Sequence, residues 1–131
     1  MNMHSAISRY QQVNIGAAVE EVHPHTLIEM LMQGALDRLA QAKGAMAQGN
    51  RAAMSESLSK AMAIISGLKD CLDHEKGGDI SANLDALYEY MNRRLIKVHR
   101  EKNADGLDEV AKLLGTVKSG WDGIREEALK H

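Results

Sequence analysis

The 131-residue sequence predicts an all-α protein, an antiparallel up-down-up-down four-helix bundle with a short N-terminal segment, and three observations carry that expectation. Leu, Ala and Met abound whereas aromatics are scarce, with no Phe, three Tyr and one Trp, so intrinsic preference favours helix over strand. Apolar residues recur at three- and four-residue spacing through four separate segments. The breaks between those segments are short, so consecutive helices must lie side by side and run in opposite directions. With 44% apolar and 26% charged residues, the chain has the content to form one buried core.

Residues 1–22 stand apart as a flexible N-terminal segment, because Ile7, Tyr10, Val13 and Ile15 are apolar but Gly16 interrupts any long helix. The bundle is expected over 23–131. Its first helix runs from Pro24, suited to an initial turn, to about Gln48, with Leu27, Leu31, Ala35, Leu39, Ala42 and Met46 on one face. Gly49 then caps its end and Asn50 starts the next. The second helix carries Met54, Leu58, Ala61, Ile65, Leu68 and Leu72, and is expected to finish near His74, before Gly77-Gly78. Asp79 is the expected cap of the third, which carries Leu84, Tyr88, Met91, Leu95 and Val98. Asn103-Ala104-Asp105-Gly106 interrupts the pattern, and Leu107, Val110, Leu114, Val117, Trp121 and Ile124 resume it in the fourth.

More apolar residues are present than one stripe per helix requires. Ile28, Met30, Met32 and Leu36 lie off the main face of the first helix, Met62, Ile64 and Cys71 off the second, and Leu87 and Ile96 off the third. Two readings stay open: a core face widened to three positions in seven, or a groove left for an amphipathic segment of another chain. Eight methionines, with their adaptable thioethers, suit either one. Gly34, Gly67, Gly115 and Gly120 inside the helical patterns predict close backbone approach, between helices or to a bound partner.

The net charge of −2, with the signs interspersed, gives no field toward nucleic acid or an anionic membrane. No run approaches the roughly 18 apolar residues of a membrane span, and the N-terminus has no signal-peptide core, so no membrane insertion and a cytoplasmic location are expected. Cys71 is the only cysteine, which excludes an internal disulfide and suits a reducing compartment. Glu20 and His23 form a single Glu-x-x-His, where a di-iron bundle needs two such motifs and two further glutamates, and it is placed just before Pro24, so no metal site or other cofactor is expected. His99 and Lys102 have the His-x-x-Lys spacing of histidine phosphotransfer bundles, an alternative function, although His99 falls close to its helix end. Arg93, Arg94, Lys97, Arg100 and Lys102 concentrate positive charge at the negative end of a helix that begins with Asp79, Asp85 and Glu89, which dipole matching explains. Phosphate loops, paired-cysteine metal motifs and serine elbows are lacking, so no catalytic residue is nominated.

Three stretches read together as one set: Pro24-His25 with Met30-Leu31 and Gly34-Ala35-Leu36; Lys60-Ala61 with Ile64-Ile65 and Leu68; and, most characteristic, Leu72 to Ile80 continuing through Asn83-Leu84 and Leu87 to Leu95. This set resembles the FliS family of flagellar export chaperones. Glu109-Val110, Leu113-Leu114 and Trp121 extend the likeness to about residue 124, and Met32-Gln33 depart from the Tyr-Asp that the family often carries before the first-helix glycine. The resemblance implies a chaperone, not an enzyme, that binds the disordered C-terminal segment of flagellin, prevents its premature polymerisation and helps deliver it to the export-gate protein FlhA. It implies a binding surface that includes Leu68, Leu72, Leu87, Tyr88, Met91 and Leu95, with Asn83, Arg93 and Arg94 at its polar rim. It further implies that Ile7 and Tyr10 of the N-terminal segment cover the groove or meet the export gate. A weak homodimer is also expected.

Overall fold

The computed structural model describes residues 22–130. Four long helices, α1 (Pro24–Ala47), α2 (Arg51–Asp70), α3 (His74–Glu101) and α4 (Ala104–Gly123), are followed by a short α5 (Arg125–Leu129), and the described residues contain no strand. Contacts run from α1 to α2, α2 to α3, α3 to α4 and α4 back to α1, which closes the four-helix bundle. The core takes the predicted stripes: Leu27, Leu31, Ala35 and Leu39 from α1 meet Leu58, Ala61, Ile65 and Leu68 from α2, Met91, Leu95 and Val98 from α3, and Leu107, Val110 and Leu114 from α4.

The starts of the four long helices follow from side-chain caps. Asn50 Oδ1 accepts from Ala53 N at 3.1 Å, and Gly49 just before it has φ 71, the left-handed geometry that ends α1. The third helix departs from expectation. It begins at His74, because Asp73 Oδ1 accepts from the backbone N–H groups of Glu75 and Lys76, both at 3.1 Å. Gly78 (φ 51, ψ −124) then kinks α3 after its first turn, and Ser81 Oγ ties the two sides by donating to Asp73 O at 3.0 Å. Asp79 therefore lies inside α3 and does not cap it.

The fourth helix also starts earlier than expected. Asn103 Oδ1 accepts from Asp105 N at 2.9 Å, so Ala104-Asp105-Gly106 forms a first turn where an interruption was predicted. Lys102, at φ 55 and ψ 44, makes the reversal before it. Gly106 is buried there against Val98 and Arg94. Gly115 and Gly120 correct part of another expectation: among the described residues a Cβ at either would meet nothing within 4 Å, so neither marks a close approach between these helices. The helix stops at Gly123, and Ile124 (φ −104, ψ 13) links it to α5. Among the described residues, no helix is long and apolar enough to cross a membrane.

Candidate functional site

The start of α1 is clamped to the end of α4. His23 caps α1, its Nδ1 accepting from His25 N at 3.0 Å, and Pro24 sets the first turn. That turn buries His25, whose ring stacks on Trp121 at 4.4 Å between centroids and 5° between planes. Trp121 Nε1 donates to His25 O at 2.9 Å, so one tryptophan holds both the ring and the backbone of the residue. A polar cluster surrounds this clamp. Glu29 Oε1 lies 3.3 Å from His25 Nε2 and 3.6 Å from Arg125 Nε, and Lys118 Nζ donates to Asp122 Oδ2 at 2.7 Å. The Lys118 hydrogen bond is the main reason the Asp122 carboxyl sits below its ordinary range, against an opposing effect of burial; Glu29 and His25 add smaller pulls downward.

Beside the clamp opens an apolar groove of about 290 Å³. Ile28 and Met32 of α1, Leu68, Cys71 and Leu72 at the end of α2, Leu84 and Tyr88 of α3, and Trp121 of α4 form its walls, with Ile124 and Ala128 across one end. Tyr88 is only 2% exposed. Its phenol is pushed up to about 12, chiefly by burial and secondarily by the nearby Cys71. Leu72, Leu84 and Trp121 are half-buried, packed on the core by one side and facing the groove. A concave, apolar recess between helix ends with few polar groups suits an apolar helix face.

The residues singled out from the sequence do not form one surface. Leu68, Leu72 and Tyr88 line the groove. Leu87 is half-buried against the core, whereas Met91 and Leu95 are 0% exposed within it. Asn83 and Arg93 are exposed and do not line the groove. Arg94 Nε donates to Glu109 Oε1 at 2.7 Å, and Tyr90 OH donates to Glu109 Oε2 at 2.6 Å, which joins α3 to α4. The bond from Tyr90, followed by that from Arg94, lowers the Glu109 carboxyl. Ile7 and Tyr10 lie outside the described residues.

Sequence reasoning passed over His25, Leu84, Trp121, Ile124 and Ala128 as groove residues. Three others, Ile28, Met32 and Cys71, had been visible as apolar residues in excess of a single stripe. The paired His25 and Trp121 carry no signal at the level of spacing, since they meet only after the bundle closes. His99 Nε2 lies 2.7 Å from Ser55 Oγ, and Lys102 has left the helix in left-handed geometry, so the two do not share a helical face as the phosphotransfer alternative requires. His23, the histidine of the lone Glu-x-x-His, serves as a cap, and Glu20 lies outside the described residues.

Comparison with known proteins gives one answer across nearly the whole chain. Residues 6–128 match the family model described as flagellar protein FliS. The flagellar secretion chaperone FliSB of Pseudomonas aeruginosa is 50% identical over 119 residues, covering 91% of this chain and 94% of that protein. The flagellar secretion chaperone FliS of Salmonella typhimurium is 44% identical over 125 residues, 95% and 93% of the two chains. That of Vibrio cholerae is 38% identical over 125 residues, 95% and 92%. With a match of this extent on an all-helical bundle whose open feature is an apolar groove, the chain belongs to the FliS family, a family of chaperones and not of enzymes.

Proposed function

We propose that this protein is a cytoplasmic export chaperone for flagellin, and that it holds flagellin's C-terminal segment as helix in the groove between α1, α2, α3 and the end of α4. The observation that carries the reading is the groove itself, an apolar recess about 290 Å³ in volume walled by side chains from all four long helices. Relatives over more than nine-tenths of the chain are named flagellar secretion chaperones, which supports export as the context. A client of this kind is disordered until it binds, so it buries apolar area while losing on the order of 2–5 kcal/mol to ordering. Such a complex is specific yet releasable, as handing a subunit to an export gate demands. Capture of the terminal segment also withholds it from polymerisation, and release falls to the gate protein FlhA.

Within this reading Leu68, Leu72 and Tyr88 touch the client, and Met91 and Leu95 act from inside the core by keeping the α3 wall in place. Asn83, Leu87, Arg93 and Arg94 are assigned to a second stretch of the same client that continues along α3. Pro24 lines the groove, so the segment before it joins the bundle at the groove's edge, which supports a covering or gate-contacting role for Ile7 and Tyr10. The protein acts as a monomer or weak homodimer.

Trp121 is the only tryptophan and lines the groove, which provides the test. A tryptophan-free peptide of flagellin's C-terminal segment should shift Trp121 emission saturably at micromolar concentrations, with more far-UV helical signal than the two components sum to. Unchanged emission together with additive circular dichroism at tens of micromolar would reject the assignment.

A further inference from the structure

The last helix lies across the recess a client would occupy. α5 spans five residues, none of them buried, and no side chain caps its start. A helix so short has negligible stability alone, so it persists only through what it rests on. Ile124 just before it and Ala128 within it, four apart and so on one face, close one end of the groove, yet Ile124 remains 53% exposed. Its polar tether is Arg125 Nε at 3.6 Å from Glu29 Oε1, beyond hydrogen-bond range, with the Arg125 side chain 53% exposed. Among the described residues, Glu29 Oε1 is itself buried without a hydrogen-bond partner. The connection is built to turn: Gly123 ends α4, a Cβ added there would meet nothing within 4 Å among the described residues, and Ile124 has left helical geometry. Removing α5 therefore takes nothing from the core, while exposing the apolar end of the groove.

We propose that α5 is a detachable flap, an internal competitor that occupies one end of the groove in the free protein and swings out about Gly123-Ile124 when the client helix docks. The inference rests on the groove being the client site. A closed flap lowers apparent affinity by the fraction of molecules that are open, so a weak tether should cost a small factor in binding and shield the apolar recess between clients.

Titrating the peptide of flagellin's C-terminal segment into three forms tests this: the full chain, a chain ending at Gly123, and Arg125→Glu, which sets a like charge against Glu29. Circular dichroism and thermal midpoints check that each form keeps the bundle. The flap predicts binding about fivefold tighter for both altered forms, through faster association. A fourth form, Ala128→Cys joined to Cys71 by a short cleavable thiol cross-linker, should bind at least about tenfold more weakly until the linker is cut. Equal affinity in all forms overturns the flap alone. Weaker binding by the shortened chain also overturns it, because α5 would then be a wall of the site. Failure of every form to bind overturns the groove assignment and the flap with it.

Discussion

On α4, a methyl group added at Gly106 would stand 2.7 Å from Val98 Cγ2 and 3.2 Å from Arg94 Cζ, whereas one added at Gly115 or Gly120 would meet none of the described residues within 4 Å. The three glycines look alike in the sequence and should respond oppositely. Gly106→Ala is expected to lower unfolding free energy by about 1–3 kcal/mol, since β-branched Val98 has little freedom to yield. Gly115→Ala and Gly120→Ala should each raise it by about 0.5–1 kcal/mol through helix propensity and reduced freedom of the unfolded chain; urea denaturation at fixed pH measures all three. Tyr88 makes a second prediction at this scale. Its folded pKa is about 12 against an ordinary value of 10.0, so below pH 10 both states keep this proton and Tyr88 adds no pH dependence. Between those values the unfolded chain ionises first, and stability should fall by roughly 2–3 kcal/mol as pH rises. Tyr88→Phe should flatten that alkaline decline and remove one late-titrating component from the phenolate absorbance, leaving Tyr90, which its hydrogen bond to Glu109 also holds above the ordinary value. Which residues would be this tightly held was not legible in the sequence, because spacing places a residue on a face but not at a depth. Tyr88, Met91 and Leu95 share one stripe of α3, and only Tyr88 of these reaches the groove.

At the scale of elements, caps were legible where one short polar side chain preceded a periodic run, as at Asn50 before Met54. They were misread where glycines gave the stronger local signal. Gly77-Gly78 marks a true break in direction, but Asp73 captures the free N–H groups before it, so the break became a kink within α3. Gly78 at φ 51 and ψ −124 occupies backbone space that residues with a Cβ rarely adopt. Gly78→Ala is therefore expected to cost about 1–3 kcal/mol, although no neighbour among the described residues lies within 4 Å of the added carbon. The kink separates the first turn of α3 from Leu84 and Tyr88, which wall the groove, so the same substitution should also weaken client binding. A Gly78→Ala protein with unaltered thermal midpoint and unaltered binding would show that the kink is incidental.

Across the whole molecule, apolar periodicity specified the bundle and its core, and the surplus of apolar residues left open whether a groove existed. That question turns on how four helices meet at one end. Ile28, Met32 and Cys71 proved to line the recess, Ile64 went into the core, and Ile96 stayed 54% exposed. The flagellin assignment gains support from family likeness and from the groove's chemistry together, neither of which names contact residues. The direct test is calorimetric titration of the flagellin C-terminal peptide into the native protein, Leu72→Asp, Leu84→Asp and the core control Ala111→Ser. Leu72 and Leu84 are half-buried and face the groove, so an aspartate at either should weaken binding by at least about 1.4 kcal/mol, a tenfold loss, while the bundle remains folded by circular dichroism. Ala111 packs on the core away from the groove, and its substitution should leave affinity within about twofold. Micromolar or tighter binding that both aspartates weaken and the control preserves is the predicted result; native affinity in both aspartate variants would contradict the account.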